Sequence, residues 1–279
     1  MRIRLTTLSE NTTSRPATLA EEGLSILIET GTSVILLDTG QTTSVVHNAS
    51  ALGVDLTKID KIVLSHGHFD HTGGLRSLLQ IVRRPIDIVC HPNVWGAKYA
   101  VNKEGHERFI GVPFQRAELE SLGARFVQSR APVELDNHVG TLGEVPMTTD
   151  FEVVDSHLFV RGVAGLREDE LMDDLAVVID TDDGLVVVSG CAHRGIINTL
   201  RQAQKLTGVE KVRAVVGGSH LVGSGEERVW QTVASLKEMN VGQLGLCHCT
   251  SQPAAAIMAR EFGEGFFFNT VGRITEVDV

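Results

Sequence analysis

The sequence has little that would build a disulfide scaffold, a membrane span or a nucleic-acid surface. Its 279 residues hold four cysteines, Cys90, Cys191, Cys247 and Cys249, too few for a chain of this length to rest on a disulfide framework. Reduced thiols in a cytoplasmic protein are the expectation. No run of about 18 apolar residues occurs, so no membrane-spanning helix is expected. The opening MRIRLTTLSENTTSRP lacks an apolar core of the signal-peptide kind. Positive charge is also short, with 25 Lys and Arg against 35 Asp and Glu and a net charge of −10. That balance argues against attraction to a phosphate backbone or an anionic membrane, while leaving room for a local basic pocket for one small anion. What is present, 42% hydrophobic and 22% charged residues, is enough to bury a large core. The length fits a single α/β domain spanning residues 1–279.

Along the chain, LSILIE (24–29) and VILLD (34–38) read as a hairpin around Gly31, and KIVLS (61–65) as a short buried strand. Leu75, Leu78, Leu79 and Val82 recur at helical spacing before Pro85, and IDIVCH (86–91) returns to a strand. Residues 93–170 carry much of the aromatic content with weak periodicity, which predicts an irregular, partly helical insertion covering a substrate site. LAVVIDTDDGLVVVSG (175–190) is a hairpin turning at Asp183-Gly184. Helices over 195–206, 226–239 and 253–263 then alternate with strands VRAVVGG, QLGLCH and GFFFNTVG. Each half starts with sheet and continues in β–α steps, which implies two sheets between helices.

The chemistry concentrates in LSHGHFDHTGGL, residues 64–75. Zinc and similar divalent ions take imidazole nitrogen and carboxylate oxygen at roughly 2.0–2.2 Å and need three or four protein ligands each. His66 and His68, two residues apart on an extended strand end, would face one ion. Asp70 and His71, on the tight turn that follows, would reach a second. Gly67, Gly73 and Gly74 permit the close backbone approach such a loop needs. Four ligands leave two sites incomplete. The remaining candidates all stand where strands end: Asp38 in VILLDTG, Cys191 and His193 in SGCAHRG, His220 in GGSHL and His248 in LCHCT. Open α/β sheets gather their sites at such an edge.

SHGHFDHTGG resembles the HxHxDH signature of the metallo-β-lactamase superfamily, and the positions of Asp38, SGCAH and His248 follow that family's motif order over nearly the whole chain. Within it, GLSILIETG, GCAHRGIINTL, GGSHL and CHCT are similar to the dihydropteroate-synthase-like, or dihydropterin–aminobenzene-phosphate synthase-like, branch. The resemblance implies an αββα sandwich of mixed sheets and a pair of divalent ions, zinc above all, with manganese and iron suited to the same ligands. It implies His66, His68 and His193 at the first ion and Asp70, His71 and His248 at the second, with Asp38 orienting the loop from outside the ligand shell. A water whose pKa falls from about 15.7 toward about 7 would attack an ester, lactone, amide or phosphodiester, with Asp70 as a catalytic proton acceptor. Pterin-related transfer is the branch's variant of this chemistry.

The pattern departs from the family in four respects. Gly190-Cys191 stands where the family has a Gly-Asp step, so either Cys191 or His193 can serve as ligand, and no motif surrounds His138 or His157. Glu22 replaces an expected histidine, and Met147 an expected arginine that would hold an anion. His220 is open between a metal or substrate contact and a structural partner, and His91 between a functional and a solvated strand-end residue. Cys247 and Cys249 flank His248 and alternate away from it, which predicts core packing for both. At least one aromatic between 95 and 114 is a candidate to face a substrate. The reading is therefore a metal-dependent hydrolase acting on a small molecule, with no nucleic-acid or membrane partner. A noncatalytic metal- or ligand-binding sensor on the same fold is the alternative, and an RNA-processing nuclease is disfavoured by the negative charge.

Overall fold

The computed structural model describes residues 2–278. The first half of the chain forms strands β1 (Arg2–Ser9), β2 (Ser25–Glu29), β3 (Val34–Leu37), β4 (Lys61–Val63) and β5 (Ile86–Cys90), then β6 (Ala97–Val101), β7 (Glu107–Phe109) and β8 (Ala124–Gln128). Its helices are α1 (Ser44–Leu52), α2 (Phe69–Thr72), α3 (Leu75–Val82) and α4 (Arg116–Ser121). The second half adds β9 (Glu134–Asp136), β10 (Val139–Thr141), β11 (Leu158–Gly162), β12 (Gly165–Glu168), β13 (Ala176–Thr181) and β14 (Gly184–Ser189). It continues through α5 (Ile196–Thr207), β15 (Val212–Gly218), α6 (Glu226–Glu238), β16 (Gln243–Cys247), α7 (Gln252–Phe262), β17 (Phe266–Phe268) and β18 (Ile274–Asp278).

Two seven-stranded sheets result, in the orders β18-β1-β2-β3-β4-β5-β8 and β17-β16-β15-β14-β13-β10-β9. Both are mixed: β3, β4, β5 and β8 run parallel, as do β14 to β17, while the hairpin strands are antiparallel. Strands buried on both faces read as continuous apolar runs, with alternate residues going to opposite layers. In β14, Val186 and Val188 enter the core between the sheets, and Leu185 and Val187 pack outward beneath α5 and α6. In the first sheet, Ile35, Leu37 and Val63 face the second sheet. Leu36, Ile62 and Ile88 pack under α1 and α3. The layers are thus helix, sheet, sheet, helix, the αββα sandwich expected.

Residues 93–170 are partly helical as expected, through α4, but hold more regular strand than the irregular insertion expected. Strand β8 completes the edge of the first sheet, and β9 and β10 the edge of the second. Strands β12-β11-β6-β7 form a third, four-stranded sheet. Strands β7, β8 and β12 are mostly exposed or half-buried and carry charges, so no apolar alternation marks them. Strands β1 and β18 and helix α1 are likewise elements beyond those expected from the sequence.

The ends of the parallel strands are where the chain becomes irregular. Asp38 follows β3, His66 follows β4, Cys191 and His193 follow β14, His220 follows β15 and His248 follows β16. All six lie at the same edge of the sandwich. The third sheet stands beside this edge, and Ala100, Arg108 and Leu158 from its strands line a pocket there.

Candidate metal centre and pocket

The loop from His66 to His71 is held by backbone contacts no side chain would allow. A Cβ on Gly67 would lie 2.1 Å from the Val94 carbonyl oxygen, and one on Gly73 1.9 Å from that of Gln41. Asp70 and His71 sit on the one-turn helix α2, not on an open turn. His68 precedes it in extended backbone, whereas His66 lies in the bend after β4 and not on the extended strand end expected, and His193 comes in from beyond β14.

These three rings converge. His66 Nε2 lies 2.9 Å from His68 Nδ1 and 3.2 Å from His193 Nε2. A second group forms beside it: Asp70 Oδ2 lies 3.6 Å from His71 Nε2 and 3.3 Å from His248 Nε2, and the two Nε2 atoms are 3.2 Å apart. Imidazole nitrogens bound tetrahedrally at roughly 2.0–2.1 Å stand about 3.3 Å apart, close to the spacing found here. The donors of each triad all fall within 4.8 Å of one another. His68 Nε2 and His193 Nδ1 are buried without a hydrogen-bond partner. Neutral rings aiming nitrogens at one another fit cations better than they fit a packed core, so the residues present suit divalent metal.

The electrostatics differ between the triads. Burial, with neighbouring His71 and His68, holds His66 well below its usual range. Burial and Lys98 push His68 down to about 3, and burial with His220 keeps His193 well below normal. All three rings are neutral and ready to ligate. His71 is opposite: burial favours its neutral form, but the Asp70 and Asp38 carboxylates outweigh burial and raise it to about 9. Burial opposes the charge on Asp70, yet the His71 and His248 contacts hold its carboxyl well below the usual range.

Asp38 ties the loop together. Its carboxylate accepts from the Ser65 backbone N–H (2.7 Å) and hydroxyl (2.6 Å) and lies 2.7 Å from His71 Nδ1. Its φ of 58° is left-handed, a conformation Asp tolerates better than most residues. Asp173 is a second brace, absent from the sequence reading. It accepts from Gly67 N–H at 2.8 Å and pairs with the buried Lys98 ammonium at 2.8 Å, which also contacts Asp169 at 2.7 Å.

Cys191 Sγ lies 3.2 Å from His71 Nε2 and shares candidate clusters with both metal-facing groups. Cys191 and His193, alternatives in the sequence, therefore both face the centre. His220 packs its ring at 3.9 Å on His193 and contacts Asp155 through Nε2 at 2.8 Å. Burial works against its charge, but Asp155 and Cys249 raise it to about 10. His220 is thus both a wall residue and a structural partner of His193. His91 faces away: its Nδ1 accepts from Asn93 N–H and its Nε2 meets Glu144. Cys247 packs between the sheets as expected. Cys249 does not: His248 has a φ of 52° and starts a 3-10 turn, so strand alternation ends there and Cys249 turns into the pocket.

The centre forms the floor of a cavity of about 350 Å³. Phe69, Ala100, Ile110 and Leu158 make an apolar wall, and Arg108, His157, Glu22 and Asn11 stand at the mouth. No aromatic between 95 and 114 lines it; Trp95 packs on Phe126 and Tyr99 on Phe109. The ring on the wall is Phe69. Met147 is also outside the cavity.

The profile of the Metallo-beta-lactamase superfamily matches residues 20–201, the stretch that carries Asp38, the histidine loop, Cys191 and His193. The chain belongs to this superfamily. Its members generally bind divalent metals, in keeping with the clustered donors. Among relatives, this metallo-beta-lactamase-superfamily chain is 34% identical over 265 residues to 7,8-dihydropterin-6-methyl-4-(beta-D-ribofuranosyl)-aminobenzene-5'-phosphate synthase of Methanocaldococcus jannaschii, covering 91% of this chain and 90% of that one. Among solved structures, Tm1679, a metal-dependent hydrolase of the beta-lactamase superfamily, matches with TM-score 0.85 at 29% identity over 99% of this chain and 100% of the other. Zn(2+)-bound PqqB from Methylobacterium extorquens shares the fold alone, at TM-score 0.57 and 13% identity, over 99% and 100% of the two chains. No helix among the described residues is long and apolar enough to cross a membrane.

Proposed function

We propose that the chain is a binuclear metal-dependent hydrolase of a small, anionic substrate. The observation that carries this reading is the pair of donor triads, His66/His68/His193 and Asp70/His71/His248, side by side at the floor of one pocket. Each triad would hold one ion, zinc by donor chemistry, with manganese or iron as alternatives. Divalent ions bound there would lower the pKa of water and polarise an ester, lactone, amide or phosphodiester group. The residues would do the rest: Asp70 would take a proton, Asp38, 2.7 Å from His71 Nδ1, would fix that ring, and the apolar wall would exclude water.

Substrate size and charge follow from the pocket. A cavity of about 350 Å³ suits a small molecule. The Arg108 guanidinium at its mouth has no ion pair or hydrogen bond among the described residues, only the Phe69 ring at 6.0 Å. It is a free cation for a phosphate or carboxylate on the substrate. The net charge of −10 disfavours nucleic acid. Four unpaired cysteines fit a cytoplasmic setting.

A second reading is transfer onto a pterin, favoured by the 34% identity to the M. jannaschii synthase. Metal analysis with an activity screen tests both. The purified chain should carry about two ions per chain, and His68→Ala should lose at least one. Turnover of phosphodiesters or lactones without a pterin supports hydrolysis, whereas turnover only when a dihydropterin and an aminobenzene phosphate are both supplied supports transfer. If the wild type and His68→Ala hold the same single ion, the binuclear reading fails.

A further inference from the structure

Two of the four cysteines pack in apolar cores, Cys90 behind the first sheet and Cys247 between the sheets. The other two do not. Cys191 leaves β14, Cys249 leaves β16, and their side chains meet above the end of β15 that separates those strands. Gly218 at that end makes room: a Cβ there would lie 2.6 Å from Cys249 Sγ and 3.2 Å from Cys191 Cα. Cys191 Sγ, Cys249 Sγ and a His248 ring nitrogen all fall within 4.8 Å of one another. Both cysteines are buried yet line the pocket. Cys249 Sγ accepts the His220 backbone N–H at 3.3 Å, a contact that favours sulfur carrying negative charge. Its own S–H reaches the Cys191 carbonyl oxygen at 3.4 Å.

We infer that Cys249, with Cys191, gives the ion position beside His248 a two-thiolate face, so that this position takes a thiophilic divalent ion such as zinc or cobalt(II) rather than magnesium or manganese. The inference rests on the binuclear reading and names a donor outside its two triads. Soft thiolates select zinc-like ions, whereas carboxylate and water suit magnesium and manganese. Ligation releases one proton from each thiol to solvent and forms one metal–sulfur bond per thiol. The first position, built on three imidazoles with Cys191 as the one thiol near it, carries a weaker bias, so the two positions differ in selectivity.

Cobalt(II) substitution tests this without any substrate, because thiolate ligands give a near-ultraviolet sulfur-to-cobalt charge-transfer absorption. The wild type loaded with two cobalt ions should show the band. Cys249→Ser and Cys249→Ala should each lose roughly half of it and the double variant with Cys191→Ser all of it, if each thiolate contributes equally, while Cys247→Ala keeps it. The visible cobalt bands of the imidazole position report that each variant is folded and loaded. Alkylation of wild-type protein by iodoacetamide, read by mass at Cys249, gives a measurement free of variants; zinc loading should slow it about tenfold or more relative to chelated protein. A full charge-transfer band in the loaded Cys249 variants, or equal labelling of loaded and chelated wild type, overturns the inference. A wild type that binds fewer than two cobalt ions overturns the binuclear reading instead.

Discussion

Asp38 Oδ2 and His71 Nδ1 lie 2.7 Å apart with both side chains fully buried, so one carboxylate sets the tautomer and direction of the ring that faces Asp70 and His248. The same carboxylate holds the Ser65 N–H and hydroxyl. Asp38→Asn keeps the left-handed backbone but only one acceptor oxygen, so either the Ser65 N–H or the pair of Ser65 Oγ and the ring faces an amide NH2 instead. Affinity for one of two metal ions should fall about 10–100-fold, as outer-shell changes do. A competition titration with a chromophoric chelator measures it, and unchanged affinity would show that Asp38 is structural only.

The two ions should load with different pH dependence. His66, His68 and His193 are neutral through the neutral range, so no proton competes for the first ion. In metal-free protein His71, raised to about 9, carries a proton that the second ion must displace. Raising the pH removes that competition, so the His71 proton alone should contribute about a tenfold rise in affinity for the second ion per pH unit up to about pH 9, with each ligating thiol steepening the rise further. Two titration steps that respond equally to pH would contradict this assignment.

Asp173 joins the histidine loop to the third sheet. Asp173→Ala would leave the Gly67 N–H without an acceptor and strip the buried Lys98 of one of its two carboxylates. Breaking a buried ion pair from one side costs about 3–5 kcal/mol, readable as a lower urea midpoint. Replacing Lys98, Asp169 and Asp173 together by uncharged residues should cost less than the single change, because no unpaired charge stays behind.

Gly67→Ala probes the loop's close approach. With the Val94 oxygen 2.1 Å from the new Cβ, the loop must shift away from β5's end and carry His66 and His68 with it. Overpacking costs about 1–3 kcal/mol. We expect that loss in denaturant melts together with loss of an ion by metal analysis. A stable variant that keeps two ions would show the loop to be softer than its packing implies.

The sequence by itself determined the chemistry at the loop and the order of the main strands. His66, His68, Asp70 and His71 lie within six residues, so their proximity is covalent and survives almost any packing. The apolar runs of β3, β14 and β15 mark strands because both of their faces are buried. Only the tertiary structure decided the rest. His193 and His248 lie over a hundred residues from the loop, and strand-end logic suggested their convergence without fixing it. Lys98 and Asp173 are 75 residues apart, Arg108 sits on a strand with no apolar pattern, and Cys249 leaves its alternation because of one left-handed residue. Side-chain periodicity reports which way a regular element faces. It is silent where the backbone stops being regular, and this protein places its site at those strand ends.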